Sequence, residues 1–154
     1  MQKSMKGIVL SLDGPPCSYC TCSRLCSPID VDHALPQSYL RNNIENKRQL
    51  NVAINDPHNL YRVCRRKNRE KGSSLLSDRL AGDEFSGLKA RSYLYMNWRY
   101  TLGMDSYLLE NLKTFSLMHP PFLFEIRRSK TISYYNGQAN PFITHFPLTV
   151  AERF

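Results

Sequence analysis

Ile29-Asp30-Val31-Asp32-His33-Ala34-Leu35-Pro36 alternates apolar and polar residues and then stops at a proline. That pattern predicts a short strand ending near His33. Further on, Asn55-Asp56-Pro57-His58 is turn chemistry, and Leu60-Tyr61-Arg62-Val63 fits a second short strand. Cys64 to Lys71 then runs without Pro or Gly, and Gly72 is placed to stop it. Two short strands followed at once by a helix predict an α+β domain with a small hairpin and no large sheet.

The flanking sequence fits helices wrapped around that hairpin. Leu88, Arg91, Tyr95, Trp98 and Leu102 recur at helical spacing, and Leu108, Leu112 and Phe115 mark another helix. Pro120 and Pro121 break it, and Phe122 opens one more. The organisation expected is one domain over residues 1–154, with a Cys-rich segment at 17–26 and a strand–strand–helix core at about 29–72. A helical part at about 86–130 and a closing coil at 131–154 complete it. Residues up to Leu12 read as an opening strand or tail, 41–47 as a loop or solvated helix, and 74–85 as irregular and exposed.

Composition bounds the function classes. The chain has 154 residues, 42% of them apolar, which suffices for a core without disulfide staples and excludes a disordered chain. A formal net charge of +8 favours a polyanionic partner, most often nucleic acid. The apolar stretch Ile8 to Leu12 is too short for a signal-peptide core, and no stretch approaches a membrane span. An intracellular protein without a membrane partner is expected.

Asp32, His33, Asn59 and Asn68 form the constellation that carries chemistry. Hydrolysing a phosphodiester requires a base for the attacking water and a cation for the charge that builds on phosphate and leaving oxygen. A neutral imidazole suits the first task near pH 7, and a carboxylate with an amide oxygen suits magnesium. Neighbours on a strand point to opposite sides. Asp32 can therefore hold the ion while His33 faces the water. Asn68 would complete the ion's site from the helix, and Asn59 would hydrogen-bond the loop or His33 and hold the imidazole in place.

This layout resembles the HNH, or ββα-metal (His-Me finger), nucleases. Their pattern has Asp-His shortly before a Pro, then Asn-Leu, then a His or Asn nine residues later; here Asn59 and Asn68 are nine apart. The resemblance implies His33 as general base, Asp32 and Asn68 as magnesium ligands and Asn59 as the middle asparagine. The C-terminal half resembles the endonuclease I family within that superfamily. Lys89-Ala-Arg-Ser-Tyr-Leu-Tyr-Met96, Glu125-Ile-Arg-Arg128 and Asn136-Gly-Gln-Ala-Asn-Pro-Phe-Ile143 carry the likeness, together with His33-Ala-Leu-Pro-Gln-Ser38. Departures are Asp32 where that family usually has Glu, and Asn136 and Gln138 where Gln and Asn are usual. The resemblance implies a largely sequence-non-specific endonuclease acting on DNA, with RNA as a further substrate, and products with 5′-phosphate and 3′-hydroxyl ends. The Asn140-Pro141-Phe142 motif is expected to lock the C-terminus onto the core rather than to do chemistry.

Many HNH proteins also carry a structural zinc bound by two Cys-x-x-Cys pairs. Cys17 and Cys20 match the first pair and Cys64 the third ligand, while Lys67 stands at the fourth position. Cys26 or Cys22 would complete a thiolate site; the alternative is thiols that bind no metal. Arg65, Arg66, Arg69, Arg91 and Arg127 are the expected phosphate contacts. His58, His119 and His145 read as structural, with a second metal role for His58 as the alternative. A competing function is a non-catalytic nucleic-acid-binding or packaging protein that kept the fold.

Overall fold

The computed structural model describes residues 4–12, 14–15, 17–19, 28–75 and 85–147. β1 (Ile29–His33) pairs antiparallel with β2 (Leu60–Cys64), Ile29 opposite Cys64 and His33 opposite Leu60. Strand alternation puts Asp30 and Asp32 on one face with Val63 and Tyr61, and Val31 and His33 on the other with Arg62 and Leu60. α4 (Arg65–Lys71) follows β2 without a gap and packs on both strands. It stops at Gly72, whose φ of +55° lies in the left-handed region that favours glycine. The α+β class and the small hairpin are as the sequence predicts.

The connection between the strands is more regular than the sequence suggests. It holds α2 (Gln37–Asn43), α3 (Lys47–Ile54) and a 3₁₀ turn at Pro57–Asn59. Asn46 starts α3 by accepting a hydrogen bond from the Gln49 amide at 2.9 Å. Leu40, Ile44 and Ala53 are the buried anchors. So few apolar positions leave little periodicity to read.

Two boundaries differ from expectation. The opening segment is a helix, α1 (Met5–Ser11), rather than a strand or tail. Ser4 caps it through the Gly7 amide, and Val9 and Leu12 bury against Leu60 and Ile132, beside Val31. Ile8-Val9-Leu10 is too short a run for periodicity to separate helix from strand, so packing on the hairpin decides. The closing coil also starts later than expected. α7 (Leu123–Asn136) continues past residue 130 because Ile132, fully buried in that same cluster, anchors its last turns; Gly137, at φ +74°, ends it. The expectation for 76–84 falls outside the described residues.

α5 (Ser86–Tyr100) is the centre of the domain and is buried around most of its circumference. α6 (Ser106–Met118) packs along it. A Cβ at Gly87 would lie 2.1 Å from the His119 carbonyl oxygen, so this approach requires glycine. Arg91 on α5 meets Glu125 on α7 in a two-pronged pair, Nε to Oε1 and Nη2 to Oε2, each 2.8 Å. Arg91 also donates to the His119 carbonyl at 2.7 Å, and the Phe122 amide donates to Glu125 at 2.8 Å. Arg128 donates to the Pro57 and Leu60 carbonyls and lies over the Tyr61 ring. α8 (Pro141–Thr144) is held by Asn140, whose Nδ2 donates to the Arg91 carbonyl and whose Oδ1 accepts from the Phe142 amide. The C-terminal motifs thus meet in one buried network that fastens α5, α7 and α8 to the start of β2. Among the described residues, no helix is long and apolar enough to cross a membrane.

Candidate functional site

His33 ends β1 and is half-buried. Its Nε2 lies 2.8 Å from the Ile54 carbonyl oxygen at the end of α3. A carbonyl only accepts, so Nε2 carries the proton and the neutral ring keeps its lone pair on Nδ1. Gln37 Nε2 lies 3.4 Å from that Nδ1, and Gln37 Oε1 accepts from Arg41 at 3.1 Å. The backbone of one helix therefore sets the tautomer, and a side chain on another marks where a proton-bearing partner of Nδ1 sits.

Asp32 occupies the opposite face. Its Oδ2 accepts from the Tyr19 hydroxyl at 3.1 Å and pairs with the Lys71 ammonium at 3.1 Å. Tyr19 is buried, and burial first, then the Asp32 charge, pushes its hydroxyl pKa well above the ordinary value, so it stays a donor. Asn68 lies over Asp30 instead: its Nδ2 is 3.4 Å from Asp30 Oδ2. The step is geometric. Asn68 and Lys71 are one helical turn apart, about 4.5 Å in rise. Asp30 and Asp32 are two strand positions apart, about 6.6 Å. Asn68 therefore meets the first aspartate and Lys71 the second. Arg65 also pairs with Asp30, at 3.2 Å, and its hydrogen bonds hold that carboxyl below the usual carboxylate range.

Asp32, His33, Gln37, Lys71 and Gly72 help line an open cavity of about 250 Å³. Asp32 and His33 leave the strand on opposite sides yet reach the same cavity, because His33 is the last strand residue and the chain turns away at Ala34. Asp32 brings the one carboxylate among the residues lining this cavity and shares the Lys71 ammonium with the His33 carbonyl, a set of hard oxygens, while Asn68 is turned to Asp30 and does not line the cavity. Among the described residues, no three His, Cys, Asp or Glu side chains gather on one metal-sized site, so a cation here depends on amide and carbonyl oxygens as well.

No protein-family model matches the chain, and no curated protein matches it. The functional reading stands on the site's own geometry.

The other expected site residues divide clearly. Asn59 is fully buried, and its side-chain hydrogen bonds go to the loop rather than to His33. Its Oδ1 accepts from the Leu35 amide at 2.7 Å and its Nδ2 donates to the Leu35 carbonyl at 2.9 Å. It pins the turn that follows His33, the loop alternative of the two expected for it. Arg91 is not a phosphate contact: it has no exposed surface, and Glu125 and the α6 carbonyls consume its donors. Arg65, Arg66, Arg69 and Arg127 are exposed, the first three on α4 beside the cavity residue Lys71 and the last on α7. Cys17 and Cys64 are brought together, Cys17 Sγ lying 3.3 Å from the Cys64 amide nitrogen. Cys20, Cys22 and Cys26 lie outside the described residues. His58 is buried against Tyr95 and donates from Nε2 to the Gln138 carbonyl at 2.7 Å. Burial lowers its pKa to about 4.

Sequence reasoning gives Tyr19, Gln37 and the Ile54 carbonyl no role, and it reads Lys71 only as the end of the helix after β2. Gln37 had a signal, four positions after His33 and directly after Pro36. A backbone carbonyl has no residue-type signature, and Tyr19 lies in the Cys-rich segment, far from the hairpin in sequence.

Proposed function

We propose that this protein is a metal-dependent endonuclease of the ββα-metal type. It hydrolyses phosphodiester bonds of DNA, and of RNA as a second substrate, with little sequence preference. One observation carries the reading: the Ile54 carbonyl accepts a hydrogen bond from His33 Nε2, so the neutral ring has its lone pair on Nδ1, in a cavity it shares with Asp32.

His33 Nδ1 accepts the proton of the attacking water, and the Ile54 carbonyl then steadies the imidazolium that forms. The attacking water takes the place at that nitrogen that Gln37 Nε2 marks. Asn59 keeps Ala34 and Leu35 in place, so the imidazole does not drift from the phosphate. Asp32 would hold magnesium or a similar ion from the cavity wall, and Asn68 would join it only by turning from Asp30; the ion, when bound, would neutralise charge at the leaving oxygen. The exposed arginines on α4, Arg65, Arg66 and Arg69, meet the flanking phosphates, and Arg127 adds to the positive surface. Nothing in this set reads base edges. The meeting of Cys17 with Cys64 supports a structural zinc completed by Cys20 and Cys26; metal analysis of protein purified without chelator tests it, and finding no zinc contradicts it.

The test of function is cleavage of plasmid DNA and of RNA with and without magnesium. The expected result is magnesium-dependent cutting of many sites with no preferred sequence. Salt-sensitive DNA binding without any cutting would instead favour the non-catalytic binding protein.

A further inference from the structure

The pairing of Lys71 with Asp32 asks more of this lysine than neutralising a surface. Its ammonium lies 3.1 Å from Asp32 Oδ2, 2.8 Å from the His33 carbonyl and 3.5 Å from the Gly72 carbonyl. Three N–H donors meet three oxygens. The pair is also the least exposed on α4, with side chains 12% and 11% accessible, against 46% and 25% for Arg65 with Asp30. An oxygen cage of one carboxylate and backbone carbonyls is the kind of donor set a hard divalent cation takes.

We infer that Lys71 is the resident cation of the site, holding Asp32 until a divalent ion displaces it. The inference rests on the reading of Asp32 as a metal ligand. A divalent ion would bind a carboxylate oxygen at about 2.1 Å, while the ammonium sits about 3 Å from the same atom. Two cations so close on one carboxylate oxygen repel, even on the wall of an open cavity. One must leave. The lysine is the one able to move, because its stem is a flexible four-carbon chain and the cavity lies beside it. The displaced ammonium stays in the cavity with His33, where it meets phosphate oxygens. Ion and nucleic acid then favour each other: the ion frees the ammonium, and the phosphate gives it a new partner. The lysine also keeps Asp32 from standing as an uncompensated carboxylate when no ion is bound.

The test is Mn²⁺ binding, followed by titration calorimetry and by the electron paramagnetic resonance signal of free Mn²⁺, on the whole chain without nucleic acid. Lys71→Met should bind Mn²⁺ about tenfold or more tightly than the parent, because no internal competitor remains. Lys71→Gln, which keeps donors for the same oxygens without the charge, should also tighten binding and guards against a folding failure of the first variant. Lys71→Arg should stay near the parent. In thermal melts, Lys71→Met should melt lower than the parent without metal and gain more from added Mn²⁺. Equal or weaker Mn²⁺ affinity in both neutral variants overturns the inference. If that affinity is equal but lost on Asp32→Asn, the metal reading survives and only the role of Lys71 falls. If no variant and no parent binds Mn²⁺, both fall.

Discussion

The ion pair that joins α5 to α7 and the one that joins the end of α4 to Asp32 on β1 differ in kind. Arg91 with Glu125 is sealed: neither side chain has appreciable exposure, both prongs are 2.8 Å long, and backbone groups use the donors that remain. Lys71 with Asp32 is a single contact at 3.1 Å on the wall of an open cavity. The first cannot be exchanged without leaving a charge buried, so it is architecture. The second can be, because solvent or a ligand can take either partner's place. Charge alone does not tell a binding group from a strut; access does.

Breaking the sealed pair gives the largest effect expected. Glu125→Ala should lower stability in urea unfolding by about 3–5 kcal/mol, since the Arg91 guanidinium is left buried without its partner. A loss under about 1 kcal/mol would remove the distinction between the two regions.

His58 sharpens the same contrast, because it belongs to the sealed side. Its ordinary pKa of 6.5 falls to about 4 in the folded chain, chiefly through burial. Between those values the unfolded state binds the extra proton and the folded state does not. Stability should therefore be full above about pH 6.5 and decline as pH drops toward 4, by up to about 3 kcal/mol. His58→Gln should flatten that slope in unfolding curves taken across this window. A slope unchanged by the substitution would assign the decline to other groups.

The open pair should behave the other way round. Asp32→Ala should cost about 1–2 kcal/mol in the same assay, yet abolish magnesium-dependent cleavage. A variant that cuts normally would separate Asp32 from the chemistry. The smallest effect is expected on the outer face of α4, where Arg66 pairs with Glu70 at 3.5 Å in solvent. Arg66→Ala should leave stability within about 0.5 kcal/mol of the parent and reduce the salt dependence of DNA binding by about one counterion. An unchanged salt slope would take Arg66 out of the interface.

Much of this was legible in the sequence. Alternation in Ile29–His33, the proline after it and the glycine after Lys71 placed the hairpin and its helix. The spacing of Asn59 and Asn68 put them at the entry to β2 and on α4. What was not legible has physical causes. The order in which α4 lies across β1 sets Asn68 on Asp30 and Lys71 on Asp32, and no local pattern encodes that register. The tautomer of His33 is set by a backbone carbonyl on a helix that one or two apolar anchors hold. Arg91 is the instructive error. Its charge reads as a phosphate contact, yet it shares a helical stripe with Leu88 and Tyr95, and a stripe of that kind faces the core.

In the proposed mechanism His33 supplies the base. The most direct measurement is the nicking rate of supercoiled plasmid in magnesium for the parent and for His33→Ala, with and without added imidazole. A loss of about 10²–10⁴ is expected in the variant, partly restored by imidazole, with stability nearly unchanged. A variant that nicks as fast as the parent would contradict it.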